Sequence, residues 1–200
     1  MNFSTYRRIL TEIYLASEGR LELSLPAPMV ELRKIEQGLG FSVKPGLRAA
    51  WLEANGGSTW MPVFARPGYE SGYGFLSAEE AIERRQSMKR NAPRYVDYLD
   101  PQPRDHRIRA GWFNDGWLPF AEFGEGAGIL IQDYAPAGKG APGQIIAYTH
   151  DPDEISYIAP SFEDFLEESI AEISAYPEAY VPELEESDKV VDPGSPSGLT

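Results

Sequence analysis

The sequence predicts an α+β fold: a mostly antiparallel sheet flanked by N-terminal helices and closed by a C-terminal helix. Three observations predict it. Apolar residues recur at helical spacing as far as about residue 90. From about residue 107 the period shortens to that of strands, and the turns between them are too short for helical crossovers, which excludes a parallel sheet. Helical spacing returns after Ser161. A chain of 200 residues buries roughly 70% of the surface its unfolded form exposes, enough for a real core. The reading is one domain over 1–182 and an acidic, Pro/Gly/Ser-rich tail over 183–200.

The first helix starts near Thr5, with Tyr6, Ile9, Leu10, Ile13 and Tyr14 on one face and Gly19 as its stop. Leu21 and Leu23 alternate with polar residues, as in a short strand or a linker. Met29, Leu32, Ile35 and Leu39 give a second helix, led by Pro28 and ended by Gly38 and Gly40. Pro45 opens a third, with Leu47, Ala50, Trp51 and Ala54 inward and Asn55-Gly56-Gly57 as its stop. Trp60 to Ala65 is expected as a strand, at an edge or with a bulge because it contains Pro62. Residues 66–74 are expected as loop. Ser77-Ala78-Glu79-Glu80 is a capping box for a helix running to about Arg90. Residues 91–106, with three prolines, form an irregular insertion.

Ile108–Phe113 and Trp117–Phe123 flank Asn114-Asp115-Gly116 and are expected as a hairpin. Further strands are expected over Ile129–Tyr134, Gln144–His150 and Ile155–Ala159. Ser161-Phe162-Glu163-Asp164 is a second capping-box match, and Phe165, Leu166, Ile170 and Ile173 follow at helical spacing.

Composition narrows the chemistry. The chain has no cysteine, which removes disulfides, thiolate metal sites and cysteine nucleophiles. The N-terminus lacks the apolar region of a signal peptide, and the longest aliphatic run, Ile129–Ile131, is too short to span a bilayer, so a cytoplasmic protein is expected. The formal net charge is −13, and it is uneven. Residues 1–120 carry 16 Lys/Arg and 14 Asp/Glu, a net of +2; residues 121–200 carry 2 and 17, a net of −15. Such a surface disfavours direct binding of nucleic acid or anionic membrane. It would steer a basic protein toward the C-terminal part.

The motifs hold little catalytic chemistry. Gly124-Glu125-Gly126-Ala127-Gly128 resembles a phosphate loop, but a strand follows where a helix N-terminus is required, and Glu125 would repel phosphate. A glycine-rich hairpin turn is the simpler reading. His106 and His150 each neighbour an acid, yet no G-x-S-x-G elbow is present. Asp133, His150 and Asp151 would be the set for a metal-assisted hydrolase, without a recognised ligand spacing. No catalytic, cofactor or metal residue is assigned. Trp60 and Trp117 are candidate partner anchors, beside the plainer reading of core packing.

The order of several short motifs is more specific than any one of them. Ile35-Glu36 leads into Leu39-Gly40, and a Pro-led helix ends in Asn55-Gly56-Gly57. Phe75-Leu76-Ser77-Ala78-Glu79-Glu80 announces the next helix. Trp117-Leu118-Pro119-Phe120-Ala121 precedes Gly124-Glu125-Gly126 and Gln132-Asp133. Gly143-Gln144-Ile145-Ile146 leads to His150-Asp151, and Ala159-Pro160-Ser161-Phe162 to Phe165-Leu166. Over about 25–175 this series resembles the SUKH superfamily, the Smi/Knr-like cell-wall-assembly regulators. The resemblance implies a non-enzymatic α+β domain that binds proteins. Many bacterial relatives are immunity proteins against toxins, often nucleases, and fungal relatives are regulatory scaffolds. It also implies that the 91–106 insertion is longer than the usual spacer and that residues 1–24 lie outside the shared domain. A basic toxin fits the acidic C-terminal part, with Glu122, Glu125, Asp133, Asp151, Glu163 and Glu167 as the candidate phosphate-mimicking acids.

Overall fold

The computed structural model describes residues 1–58, 60–98, 100 and 103–182; the acidic tail read over 183–200 lies outside them. The helices are α1 (Phe3–Ala16), α2 (Met29–Leu39), α3 (Pro45–Glu53), α4 (Ala78–Asn91), α5 (Phe162–Ala175) and α6 (Pro177–Tyr180). The strands are β1 (Phe64–Ala65), β2 (Gly72–Phe75), β3 (Trp117–Phe123), β4 (Gly128–Asp133), β5 (Gln144–Thr149) and β6 (Glu154–Ala159). They form one sheet in sequence order, each pair antiparallel. The α+β expectation holds.

Local chemistry sets the helix ends. Asn2 caps α1 by accepting from Thr5 N at 2.9 Å. Ser77 and Glu80 close the expected capping box on α4. At α5, Ser161 Oγ accepts from Asp164 N at 3.1 Å, while the Asp164 carboxylate takes the serine hydroxyl at 2.5 Å instead of the Ser161 backbone N–H. α2 runs through Gly38 and ends on Gly40, whose φ of 76° suits glycine.

Three strand expectations are corrected. Residues 108–113 form bends and irregular loop, not a strand. Gly111 has φ 103°, which breaks an extended run, and the two edges of β3 are taken by β2 and β4. Asn114–Gly116 is still a turn, with Asn114 Oδ1 accepting from Gly116 N at 2.8 Å. The expected 60–65 strand shrinks to Phe64–Ala65. Its partner β2 lies inside the segment expected as loop. Gly72 stands there because Pro62 packs on it: a Cβ would come within 2.4 Å of the proline ring. Leu23 contributes a single bridge to Gly57.

The sheet has an apolar layer on each face. On the first, α1, α3 and α5 cover Phe64, Phe75, Phe120, Leu130, Ile145 and Ala147. Phe64 is central, with Tyr6, Phe75, Phe120, Phe162 and Phe165 all at 5.4–6.3 Å between ring centroids. Several buried polar atoms there are paired, though the Tyr73 hydroxyl is not. Ser169 Oγ meets Tyr6 OH at 2.8 Å and accepts from Ala65 N at 2.9 Å, and Trp51 Nε1 donates to Leu76 O at 2.9 Å. The second layer is smaller. Met88, Ile108, Trp117, Ile129, Ile131, Ile146 and Ile155 are its buried members, and Trp112, Phe113, Tyr148 and Tyr157 pack at its margin. Much of its cover comes from α4 and from the described residues of 92–98 and 103–113, which begin with a 3-10 turn at Ala92–Tyr95 and form no strand.

Candidate functional site

The structure sorts the predicted acids by burial. Asp133 is fully buried at the end of β4. Its carboxylate accepts from Ala135 N and Gln144 Nε2, both at 3.0 Å, and burial raises its pKa despite these bonds. Gln144 Nε2 also reaches Arg107 O at 3.0 Å, so this acid ties the 105–107 segment to the sheet. Glu122 is 6% exposed and ion-paired with Arg84 of α4, whose Nη2 donates to it at 2.8 Å. Trp117 is completely buried in the second layer. The strand pleat turns each inward: Asp133 and Trp117 present no surface, and Glu122 presents only a little, in the hollow beside Arg84.

The other candidates form two exposed groups. Glu163 and Glu167 stand one turn apart on α5, with Asp164 and Glu168 beside them. The Glu163 carboxylate lies against Gly46 in the first turn of α3, a favourable place for a negative charge. Glu167 holds the Met1 amine. Among the described residues, none of these four acids pairs with a lysine or arginine. The second group sits at one end of the sheet. Glu125 is exposed in the β3–β4 turn and Asp151 in the β5–β6 turn, and the turns are joined through His150 N donating to Ala127 O at 2.8 Å. Trp60 is 80% exposed and lines a hollow with Phe123, Glu125 and the Arg84–Glu122 pair.

A cleft of about 390 Å3 opens between α4 and the β3–β4 turn. Met88 and Ile129 form its apolar part, with Tyr95, Trp112 and Tyr148 beside them. The three rings are coupled. Tyr95 stacks on Trp112 at 4.6 Å, and Tyr148 stands edge-on to Trp112 at 6.2 Å. The Asp153 carboxylate gathers this wall, accepting from Tyr148 OH at 2.6 Å and Tyr95 OH at 3.4 Å, with His150 Nδ1 at 2.8 Å. Burial opposes ionisation of Asp153, but His150 and the tyrosine hydroxyls outweigh it and lower its pKa. The Asp153 hydrogen bond raises that of His150. Arg84 packs so closely on Gly126 that a Cβ there would lie 2.7 Å from its Nη1. The ion pair therefore also sets the turn that carries Glu125.

The metal-ligand set considered from sequence is dispersed. His150 faces Ala127 across the ladder and Asp133 lies six residues further along, roughly 20 Å at ~3.3 Å per residue. Among the described residues no group of three or more acids and histidines is placed to hold a metal ion, and no helix is long and apolar enough to cross a membrane. Sequence reasoning missed the cleft. Alternation along β5 does put Tyr148 on the face of Ile146, but nothing local links it to Tyr95 or Trp112.

The fold and these surfaces define a class, a binding domain built on an antiparallel sheet. The chain matches the SMI1 / KNR4 family (SUKH-1) over residues 26–168 and belongs to that family. As a member it is a protein-interaction domain. A search of the curated proteins finds no match. The family match leaves out α1 and the C-terminal end of α5, although Phe3, Tyr6, Leu10, Ile170 and Ile173 belong to the main core.

Proposed function

We propose that the chain is an immunity-type binding protein that captures and neutralises a basic toxin, without catalysis of its own. The observation that carries this reading is the exposed face of α5, where Glu163, Asp164 and Glu168 are presented with no cationic partner among the described residues and Glu167 is paired with the Met1 amine. A nuclease toxin must hold phosphate, so its cleft is basic. A rigid row of carboxylates complements such a cleft and speeds encounter. Glu125 and Asp151 extend the negative potential at the end of the sheet, with Trp60 as an apolar anchor. The reading places the protein in the cytoplasm, where a toxin acting on nucleic acid would meet it.

The test is a capture experiment from lysate of the source organism at low and high salt, followed by association kinetics with the captured protein. Glu167→Lys/Glu168→Lys is expected to slow association about tenfold or more at low salt, with little effect on dissociation. A basic toxin-like partner released by salt supports the proposal. A neutral endogenous partner bound equally by the charge-reversed variant replaces it with a regulatory scaffold.

A further inference from the structure

We propose that the cleft between α4 and the β3–β4 turn receives one arginine side chain of the basic partner, with the Glu125 carboxylate as its counter-charge and the neighbouring aromatic rings as its stacking surface. This rests on the partner being basic, as argued above, and adds where and through which residue it is anchored. Four observations converge. Glu125 is exposed and has no cationic partner among the described residues, and it lines both the cleft and the adjoining hollow. Its backbone is left-handed, φ 55° and ψ 31°, between Gly124 at φ 57° and Gly126 at φ 99°. Glycine would suit that position better, so the carboxylate stands there at a cost in backbone strain, and such strain clusters at functional sites.

The cleft's other charges are already answered. Arg84 is paired with Glu122, and His150 with Asp153. With those two pairs satisfied, Glu125 is the charge on the cleft wall without a counter-charge among the described residues. Tyr95 and Tyr148 line the cleft and Trp60 the adjoining hollow; Trp112, stacked on Tyr95, already carries the Arg104 guanidinium 5.1 Å over its ring, and a guanidinium both stacks on such rings and binds a carboxylate in plane. This chain shows the same chemistry internally: Arg66 lies 4.0 Å over the Tyr69 ring. The volume of about 390 Å3 falls in the ordinary range of side-chain and small-ligand clefts, roughly 300–1,000 Å3.

The experiment is a titration of the 15N-labelled protein with N-acetyl-arginine methylamide, with the norleucine analogue as uncharged control. The arginine probe is expected to shift the amides of 124–127 and the indole signals of Trp60 and Trp112, with millimolar affinity. Glu125→Gln should weaken it about fivefold. Trp60→Ala should weaken it too, a second readout that leaves the turn untouched. Equal binding of the norleucine probe, an unchanged affinity in Glu125→Gln, or shifts confined to α5 would each overturn the proposal. The two readings fail separately. If no probe binds here while Glu167→Lys/Glu168→Lys still slows partner association, only the cleft assignment falls. If the probe binds but the partner is neutral, the immunity reading falls with its assigned occupant, while the cleft stands as an arginine site.

Discussion

The two faces of the sheet use the same alternating strands for opposite ends. The face under α1, α3 and α5 is sealed: its large aromatics are fully buried and interlocked around Phe64. The face under α4 and the described residues of 92–98 and 103–113 carries seven buried residues, several half-buried rings and an open cleft. Regular helices can tile a sheet face densely, because their side-chain ridges interdigitate. An irregular segment covers it loosely and leaves polar groups and ring faces accessible. Dense packing is concentrated on one face, and the open cleft lies on the other.

Truncation on each face tests that division. Phe64→Ala is expected to cost about 3–5 kcal/mol in denaturant unfolding, since the surrounding rings cannot collapse onto the gap. Trp112→Ala removes a half-buried ring at the rim of the cleft and should cost no more than about 1–2 kcal/mol, while loosening Tyr95. Equal losses at the two positions would refute the asymmetry.

The ion pair that bridges α4 to β3 sharpens the comparison further. Arg84→Met keeps the aliphatic packing but leaves Glu122, only 6% exposed, without its counter-charge. A loss of about 3 kcal/mol is expected, the low end for a buried pair broken on one side because Arg84 itself is partly exposed. The double variant Arg84→Met/Glu122→Met should recover much of that loss. Failure to recover it would mean that the pair acts through the Gly126 contact more than through charge.

The sheet-and-helix order was legible from periodicity, and so were most helix ends, because caps and turns are local chemistry. Two things were not. Gly72 and Gly74 read as loop punctuation, whereas Gly72 is a close-approach residue in a strand whose partner packs on it. Ile108 to Phe113 read as a strand, but its apolar residues serve to cover the sheet and do not join it. The candidate acids divided along the same line. Glu163 and Glu167 were correctly read as exposed from helical spacing. Glu122 and Asp133 were misplaced because a strand with both faces covered offers no polar side, so alternation does not show which acid lies inside.

The smallest expected effect concerns the Asp153 knot that holds the aromatic wall. His150 is fully at the surface, so its titration can be followed directly by NMR. It should titrate above its usual value of 6.5, because the Asp153 hydrogen bond favours the protonated ring. Asp153→Asn should bring it back toward 6.5. The sign fixes the pH window. A raised histidine pKa means that its pairing with Asp153 contributes fully below about pH 6.5 and fades as pH rises through the folded value. The lowered pKa of Asp153 gives the opposite limit: its contribution is present above its usual 3.8 and is lost as pH falls through the folded value. The wall around Tyr95 and Trp112 should therefore be best ordered in mildly acidic solution. Above the His150 titration the pair loses its charge and is weakened beside the tyrosine hydroxyl bonds to Asp153, and hydrogen exchange in 92–98 should quicken modestly, whereas exchange in α1 and α5 should show no such added step. A His150 that titrates at 6.5 in both proteins would show that the knot is held by the tyrosines alone.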